Sequence, residues 1–321
     1  MRIGLLTDGL AHMDLNEVIA WCVEHDVHDL ELGTGGYSPA PHLDLESLLA
    51  DERARGEFVA PLRDAGVRIA ALNVSGNPLH PDRSLGFPHD HALRETLRLA
   101  AALDVGRVVA MSGCPGAAGK GSWPIFSGGA WLPDMEGLAE WQWPERILPY
   151  WQELSSWGER EAPGVVICLE LHPGTSVYNA ESYRRLREVT GDNVRVNLDP
   201  SHFWWQGIDP VRTVHELGDG VAFVHGKDTL LHRDRIALHG VLDFRWPTGA
   251  DEMPWHFCVV GEGRSDDEWG LLLGALQDAG YDGVMSIEHE DPRYSPEDGI
   301  ERSIAGILRA QSARETEAKA V

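Results

Sequence analysis

The chain has 321 residues, with 27 Lys and Arg against 51 Asp and Glu and a formal net charge of −24. A polyanion such as nucleic acid would be repelled unless a local basic groove overrode that total, and no Lys/Arg run supplies one. A composition of 43% hydrophobic and 24% charged residues excludes a mainly disordered or fibrous chain and predicts a packed core in one large barrel or two ordinary domains.

Short Val-, Ile- and Leu-rich runs alternate with longer segments of helical period, the pattern of a parallel sheet with crossover helices. In chain order the sequence predicts strand Ile3–Thr7, helix Asp14–His25, strand Asp29–Leu32, helix Glu57–Ala65 and strand Val67–Asn73. Helix His89–Leu103 and strand Arg107–Met111 follow, then strand Val165–Glu170, helix Ala180–Val189, strand Val194–Asp199, helix Pro210–Leu217 and strand Val221–His225. Helix Asp267–Ala279, strand Gly283–Glu288 and a last helix near Pro296–Gln311 complete the series. Gly66 and Gly280 stand where helix C-termini favour glycine.

Eight such strands predict a (β/α)8 TIM barrel, one domain over residues 1–321. A doubly wound sheet would more often have five or six strands and a glycine-rich first turn, whereas Thr7-Asp8-Gly9-Leu10-Ala11 lacks GxGxxG. Two long insertions, Cys114–Gly137 after the fourth strand and Asp228–Gly263 after the seventh, follow strand C-termini, the face on which barrel enzymes build their sites. No stretch reaches the roughly 18 to 20 apolar residues of a membrane span, and Met1 leads straight into a strand instead of a signal peptide, so a cytoplasmic location is expected. Cys22, Cys114, Cys168 and Cys258 are widely spaced with no CxxC pair, which predicts buried, reduced thiols.

Side chains alternate along a strand, so Cys168 shares a face with Glu170, Asn197 with Asp199, Phe223 with His225 and Ser286 with Glu288. Strands five to eight therefore end in Glu170, Asp199, His225 and Glu288, all turned towards the top of the barrel. Any one of them alone would be a loop anchor or helix cap. Three carboxylates and an imidazole converging there would repel one another unless a cation sat between them, which points to a divalent metal site. Oxygen ligands with one imidazole suit Mn²⁺ first, with Mg²⁺, Co²⁺ and Zn²⁺ as alternatives.

The segments CLELHPG (168–174), NLDPSHFWWQGID (197–209), VHGKD (224–228) and YDGVMSIEHED (281–291) make the chain resemble the xylose isomerase-like barrel superfamily. The resemblance covers nearly the whole chain and is nearest to the sugar phosphate isomerase/epimerase branch, with its ketose 3-epimerases and inosose dehydratases. It implies Glu170, Asp199, His225 and Glu288 as metal ligands and Glu170 and Glu288 as the acid/base pair on opposite faces of the substrate. His202 would touch a substrate oxygen. The branch chemistry is proton removal beside a carbonyl, with the enediolate stabilised by the metal and a positioned carboxylate contributing a further ~10²- to 10⁴-fold.

Other residues admit two readings. His172 is either a second acid/base residue or part of the turn ending in Pro173-Gly174. Lys227 and Asp228 either bind a substrate hydroxyl or form a salt bridge bracing their loop. Glu31, Asn73 and His80 extend the polar rim and read as structural. Of the 12 tryptophans, Trp123, Trp131, Trp141, Trp143, Trp151 and Trp157 lie in or just after the strand-four insertion, where Trp141, Trp151 and Trp157 fit a helix face. Phe203, Trp204 and Trp205 are the candidate pocket wall for a sugar ring or aromatic aglycone.

The expected activity is a metal-dependent isomerase or epimerase of a free sugar, keto-sugar or cyclitol; no anion nest supports a phosphate on the substrate. The alternative is a lyase on the same chemistry, an inosose-type dehydratase or a deglycosidase of 3-keto-glycosides or C-glycosides, towards which the Trp-rich insertions and His172 lean. An apurinic endonuclease, which resembles this chain at LExxxG and DPSH, is opposed by the net charge, and a non-catalytic binding barrel is the last class. The resemblance implies a homo-oligomer and, for a deglycosidase, a small second subunit.

Overall fold

The computed structural model describes residues 1–119, 121–129, 132–245 and 249–320, with side chains described through residue 314. Ten strands are described: β1 Arg2–Leu6, β2 Asp29–Gly33, β3 Arg68–Asn73, β4 Arg107–Met111, β5 Val166–Glu170, β6 Val194–Leu198, β7 Val221–Gly226, β8 Asp228–Leu231, β9 Trp255–Cys258 and β10 Val284–Ile287. Eight of them close in the order β1-β10-β7-β6-β5-β4-β3-β2, parallel throughout, with helices between them: the expected (β/α)8 barrel. β8 and β9 form a separate antiparallel pair inside the strand-seven insertion.

The barrel interior changes character along its axis. Ala71, Val109, Cys168, Ala222, Phe223 and Val284 form an apolar plug. Two residues further along four of those strands stand the buried polar side chains of Asn73, Glu170, His225 and Ser286, as the two-residue strand period requires. Two register shifts lie beside this polar layer, between Leu30 and Glu31 in the β2–β3 pair and between Val196 and Asn197 in the β6–β7 pair. Each leaves an extra residue on one strand, a device that re-aims neighbouring side chains.

Local sequence explains most helix positions. Asp14 and Glu17 form a reciprocal capping box at the start of Leu15–Glu24, and Ser265 and Glu268 do the same for Asp266–Asp278. The second and third crossover helices begin earlier than expected, at Glu52 and Arg83, because Asp51 and Asp82 cap them. The β4-to-β5 crossover runs through Leu138–Gln142, a π turn at Trp143–Ile147, and Leu148–Glu161. Pro144 and Pro149 lie inside this continuous helical run, where each lacks the N–H of the regular bond ladder, and the π turn includes the first and ends just before the second. Trp151 is fully buried in the core, Trp143 nearly so, and Trp157 packs at its edge; Trp131 lies outside the described residues.

All four cysteines are buried and unpaired, and burial pushes the Cys22 and Cys168 thiols up to about 12 and Cys114 to about 11. A thiol reagent should therefore label none of them in the native protein at pH 8 and all four in denaturant. Labelling of the native chain would contradict this packing. Among the described residues no helix is long and apolar enough to cross a membrane.

Candidate metal centre and active site

Glu170 ends β5, His225 lies in β7, and Asp199 and Glu288 follow β6 and β10 by one residue. Barrel closure brings one donor atom of each to within 4.8 Å of the others. Two of those side chains hold buried atoms, Asp199 Oδ2 and His225 Nδ1, that lack a well-directed hydrogen bond among the described residues. Lys227 Nζ lies 3.1 Å from the first and Glu288 Oε2 3.0 Å from the second, as charge contacts. Orphaned lone pairs within a set of three carboxylates and one imidazole fit a divalent cation that prefers oxygen ligands.

The other face of His225 is fixed by residues that the sequence placed outside the site. Its Nε2 lies 3.2 Å from Glu31 Oε1 and 3.2 Å from Asn197 Nδ2, and Glu31 also accepts from Asn73 Nδ2 at 2.7 Å. Glu31 is completely buried. With a proton on Nε2 directed at Glu31, the Nδ1 lone pair points into the four-residue cluster. Burial opposes charge on His225, but Glu31 and Glu288 outweigh it and hold its pKa well above the usual value, so Nδ1 is a position for a proton or a metal cation. Glu31→Gln should weaken Mn²⁺ binding by about 10- to 100-fold in calorimetry, and unchanged affinity would remove Glu31 from this role.

Lys227 is buried and does not pair with Asp228. Its Nζ lies 2.8 Å from Glu288 Oε2, 3.0 Å from Glu290 Oε2 and 3.1 Å from Asp199 Oδ2, and sits over the Phe257 ring. Asp228 instead accepts from the backbone N–H of Gly261, Gly263 and Arg264 and from the Trp269 indole, stapling the returning insertion. Of the two readings of this pair, a salt bridge between them does not form: each residue belongs to its own network, because adjacent residues turn to opposite sides of the chain.

The two glutamates occupy contrasting fields. Burial, reinforced by the charge of Glu288, raises the Glu170 carboxyl above its usual pKa despite His172, His225 and Lys227. Burial acts on Glu288 too, but Lys227 and His225 overcome it and hold this carboxyl well below the usual range. His202 Nε2 lies 2.8 Å from Glu170 Oε1 and 3.3 Å from Asp199 Oδ2, and burial lowers its pKa to about 4. His172, also lowered to about 4 by burial, has its ring 4.1 Å from that of His202 at an angle of 59° and hydrogen-bonds the Pro173 carbonyl through Nδ1. The structure therefore places a buried histidine pair behind Glu170, with His202 within hydrogen-bond distance of the carboxylate.

A cavity of about 400 Å³ opens over the centre and is lined by Asp8, Tyr37, Ser38, Asn73, Glu170 and Glu288 among others. The expected aromatic wall lies elsewhere: Phe203 is fully buried, Trp204 packs edge-on against Trp269, and Trp205 stacks on Trp255 of β9. The short helix Ser201–Trp204 turns these rings into the core and the insertion. His80 accepts from the Asp82 N–H in a local turn, as its structural reading required.

The xylose isomerase-like TIM barrel family profile matches residues 19–311. The uncharacterized protein YfiH of Bacillus subtilis (strain 168) is 36% identical over 315 residues, 97% of this chain and all of that protein. The inosose dehydratase of Geobacillus kaustophilus (strain HTA426) is 29% identical over 158 residues, 46% of this chain and 49% of its own. Among solved structures, L-ribulose 3-epimerase superposes with TM-score 0.65 at 16% identity, covering 99% and 97% of the two chains. The IolI protein with a bound zinc atom superposes with TM-score 0.65 at 20% identity, covering 98% and 99%. These structural similarities speak to fold alone, but the profile spans all but the ends of the chain and includes every residue of the four-donor centre, so the protein belongs to the xylose isomerase-like TIM barrel family.

Proposed function

We propose that the chain is a divalent-metal-dependent isomerase or epimerase of a free sugar, keto-sugar or cyclitol, working by proton abstraction beside a carbonyl. The observation that carries this reading is geometric: Glu170, Asp199, His225 and Glu288 bring donor atoms within 4.8 Å of one another, and Glu170 and Glu288 both line one cavity, so that two carboxylates stand where a substrate carbon would lie.

Glu288 accepts the proton from the carbon next to the carbonyl, and the C–H electron pair becomes the C=C bond of an enediolate. Glu170, hydrogen-bonded to His202, returns a proton. Return to the same carbon from the opposite face yields an epimer, and return to the neighbouring carbon yields an isomer. Lys227 compensates the charge of Glu288 and Asp199 and restrains both side chains, while Glu31 orients His225. A divalent ion held by Glu170, Asp199, His225 and Glu288 would supply Lewis acidity at the substrate oxygens, contributing several kcal/mol; Mn²⁺ suits this donor set first.

The similarity to inosose dehydratase across 46% of the chain favours a second outcome on the same machinery, in which the enediolate re-forms its carbonyl and expels a neighbouring hydroxyl, protonated by Glu170, as water. To separate the two, the Mn²⁺-loaded protein is incubated in D₂O with L-ribulose, D-fructose or 2-keto-myo-inositol. An isomerase or epimerase introduces deuterium at carbon and forms an isomeric product. Dehydration without isomer formation would favour the lyase, and neither exchange nor product with any probe would sink the reading.

A further inference from the structure

The side of the mouth facing away from Glu170 and Asp199 contains a carboxylate that the proposed chemistry does not use. β1 stands opposite β5 in the closed barrel, and Asp8 follows β1. Its carboxylate meets Ser38, from the loop after β2, above Gly33. A Cβ on Gly33 would collide with both Ser38 Oγ and Asp8 Oδ1, so glycine is what lets them meet. The Ser38 hydroxyl lies against the Asp8 carboxylate and accepts from the Ala40 N–H at 3.0 Å, which fixes its position. The loop is held further by Tyr37, whose N–H donates to the Ser75 carbonyl at 2.7 Å.

After these contacts Asp8 Oδ1 is still buried without a hydrogen-bond partner among the described residues. Buried polar atoms are seldom left so, and the Asp8 side chain that carries this one also lines the cavity, where a ligand hydroxyl can donate to the carboxylate. Asp8, Tyr37 and Ser38 line the same cavity as Glu170 and Glu288, and no Lys or Arg lines it. The buried Lys227 is already engaged by Asp199, Glu288 and Glu290. A hydroxyl would find an acceptor at Asp8, whereas a carboxylate or phosphate at this end, remote from Glu170 and Asp199, would meet a like charge with no Lys or Arg in the lining to offset it.

Building on the functional reading above, we infer that Asp8, steadied by Ser38, accepts a hydrogen bond from a hydroxyl at the substrate end remote from Glu170 and Asp199, and so selects neutral polyhydroxy substrates over their acidic counterparts.

The test is calorimetric binding to the full-length Mn²⁺-loaded protein, using D-fructose, 2-keto-myo-inositol and D-fructuronate, which carries a carboxylate at the far end of the fructose chain. The wild type should bind the neutral probes and bind D-fructuronate at least about tenfold more weakly than D-fructose. Asp8→Asn should lose about tenfold in D-fructose affinity, the scale of one charge-assisted hydrogen bond, and should narrow the gap to D-fructuronate. Its Mn²⁺ affinity and melting temperature should be unchanged. If Asp8→Asn does not fold, Ser38→Ala should show the same narrowing to a smaller extent. Equal wild-type affinity for D-fructose and D-fructuronate, an unaltered ratio in the folded variant, or no binding of either neutral probe overturns the inference. Because binding is read without turnover, a probe that binds with this selectivity but takes up no deuterium counts against the isomerase reading alone.

Discussion

Glu288→Gln is expected to lower turnover by about 10²- to 10⁴-fold, the contribution of a positioned general base, and to abolish exchange of the substrate C–H with D₂O. The amide retains the shape of the side chain but cannot accept the proton. It also removes one of the three carboxylates facing Lys227 and one donor of the metal cluster, so Mn²⁺ affinity should fall with it. Glu170→Gln provides the contrast. With Glu288 still ionised, that variant should exchange the substrate proton with solvent yet form little product, because the group that returns a proton from the other side has been lost. Exchange in Glu288→Gln together with its loss in Glu170→Gln would reverse the assignment of base and acid.

Lys227→Met is expected to shift stability and metal affinity in opposite directions. Removing the ammonium leaves Asp199, Glu288 and Glu290 without their partner, and breaking a buried ion pair in this way costs about 3–5 kcal/mol. At roughly 2 cal/mol/K of unfolding entropy per residue, that lowers the melting temperature of a chain of this size by about 5–7 °C. A divalent cation, however, no longer faces a positive charge at Asp199 Oδ2, so Mn²⁺ should bind the variant more tightly than the wild type. Hundredfold saturation with Mn²⁺ adds about 2.7 kcal/mol to the wild type, a rise of roughly 4 °C, and should raise the variant by more. An undiminished melting temperature in the metal-free variant, or a weaker response to Mn²⁺, would show that Lys227 is not the charge that balances this cluster.

Much of this site was legible from residue order. The expected two-residue period that puts Cys168 on one face with Glu170 and Phe223 with His225 is present, and in the barrel it separates an apolar plug from the polar layer above it. Glu31 was read as structural because its functional contact, His225, is 194 residues away and on a strand not adjacent to β2 in the barrel. Local pattern says nothing about a pairing across the barrel interior. Lys227 and Asp228 suggested a pair because they are neighbours in sequence, yet strand alternation sends them into separate networks. Phe203-Trp204-Trp205 looked like a pocket wall because aromatic residues follow a site histidine, but the direction of a short helix, set by core packing, turned them away.

The sequence by itself determined the barrel, the strand ends and the chemical types gathered there, because these follow from periodicity and side-chain identity, which act over a few residues. Only the tertiary structure decided how burial and neighbouring charge act on each carboxyl, which nitrogen of His225 faces the cluster, and which carboxylate oxygen at the mouth lacks a hydrogen bond among the described residues. Those properties depend on burial and on distances of a few ångströms between residues far apart in the chain, and such distances exist only once the barrel has closed.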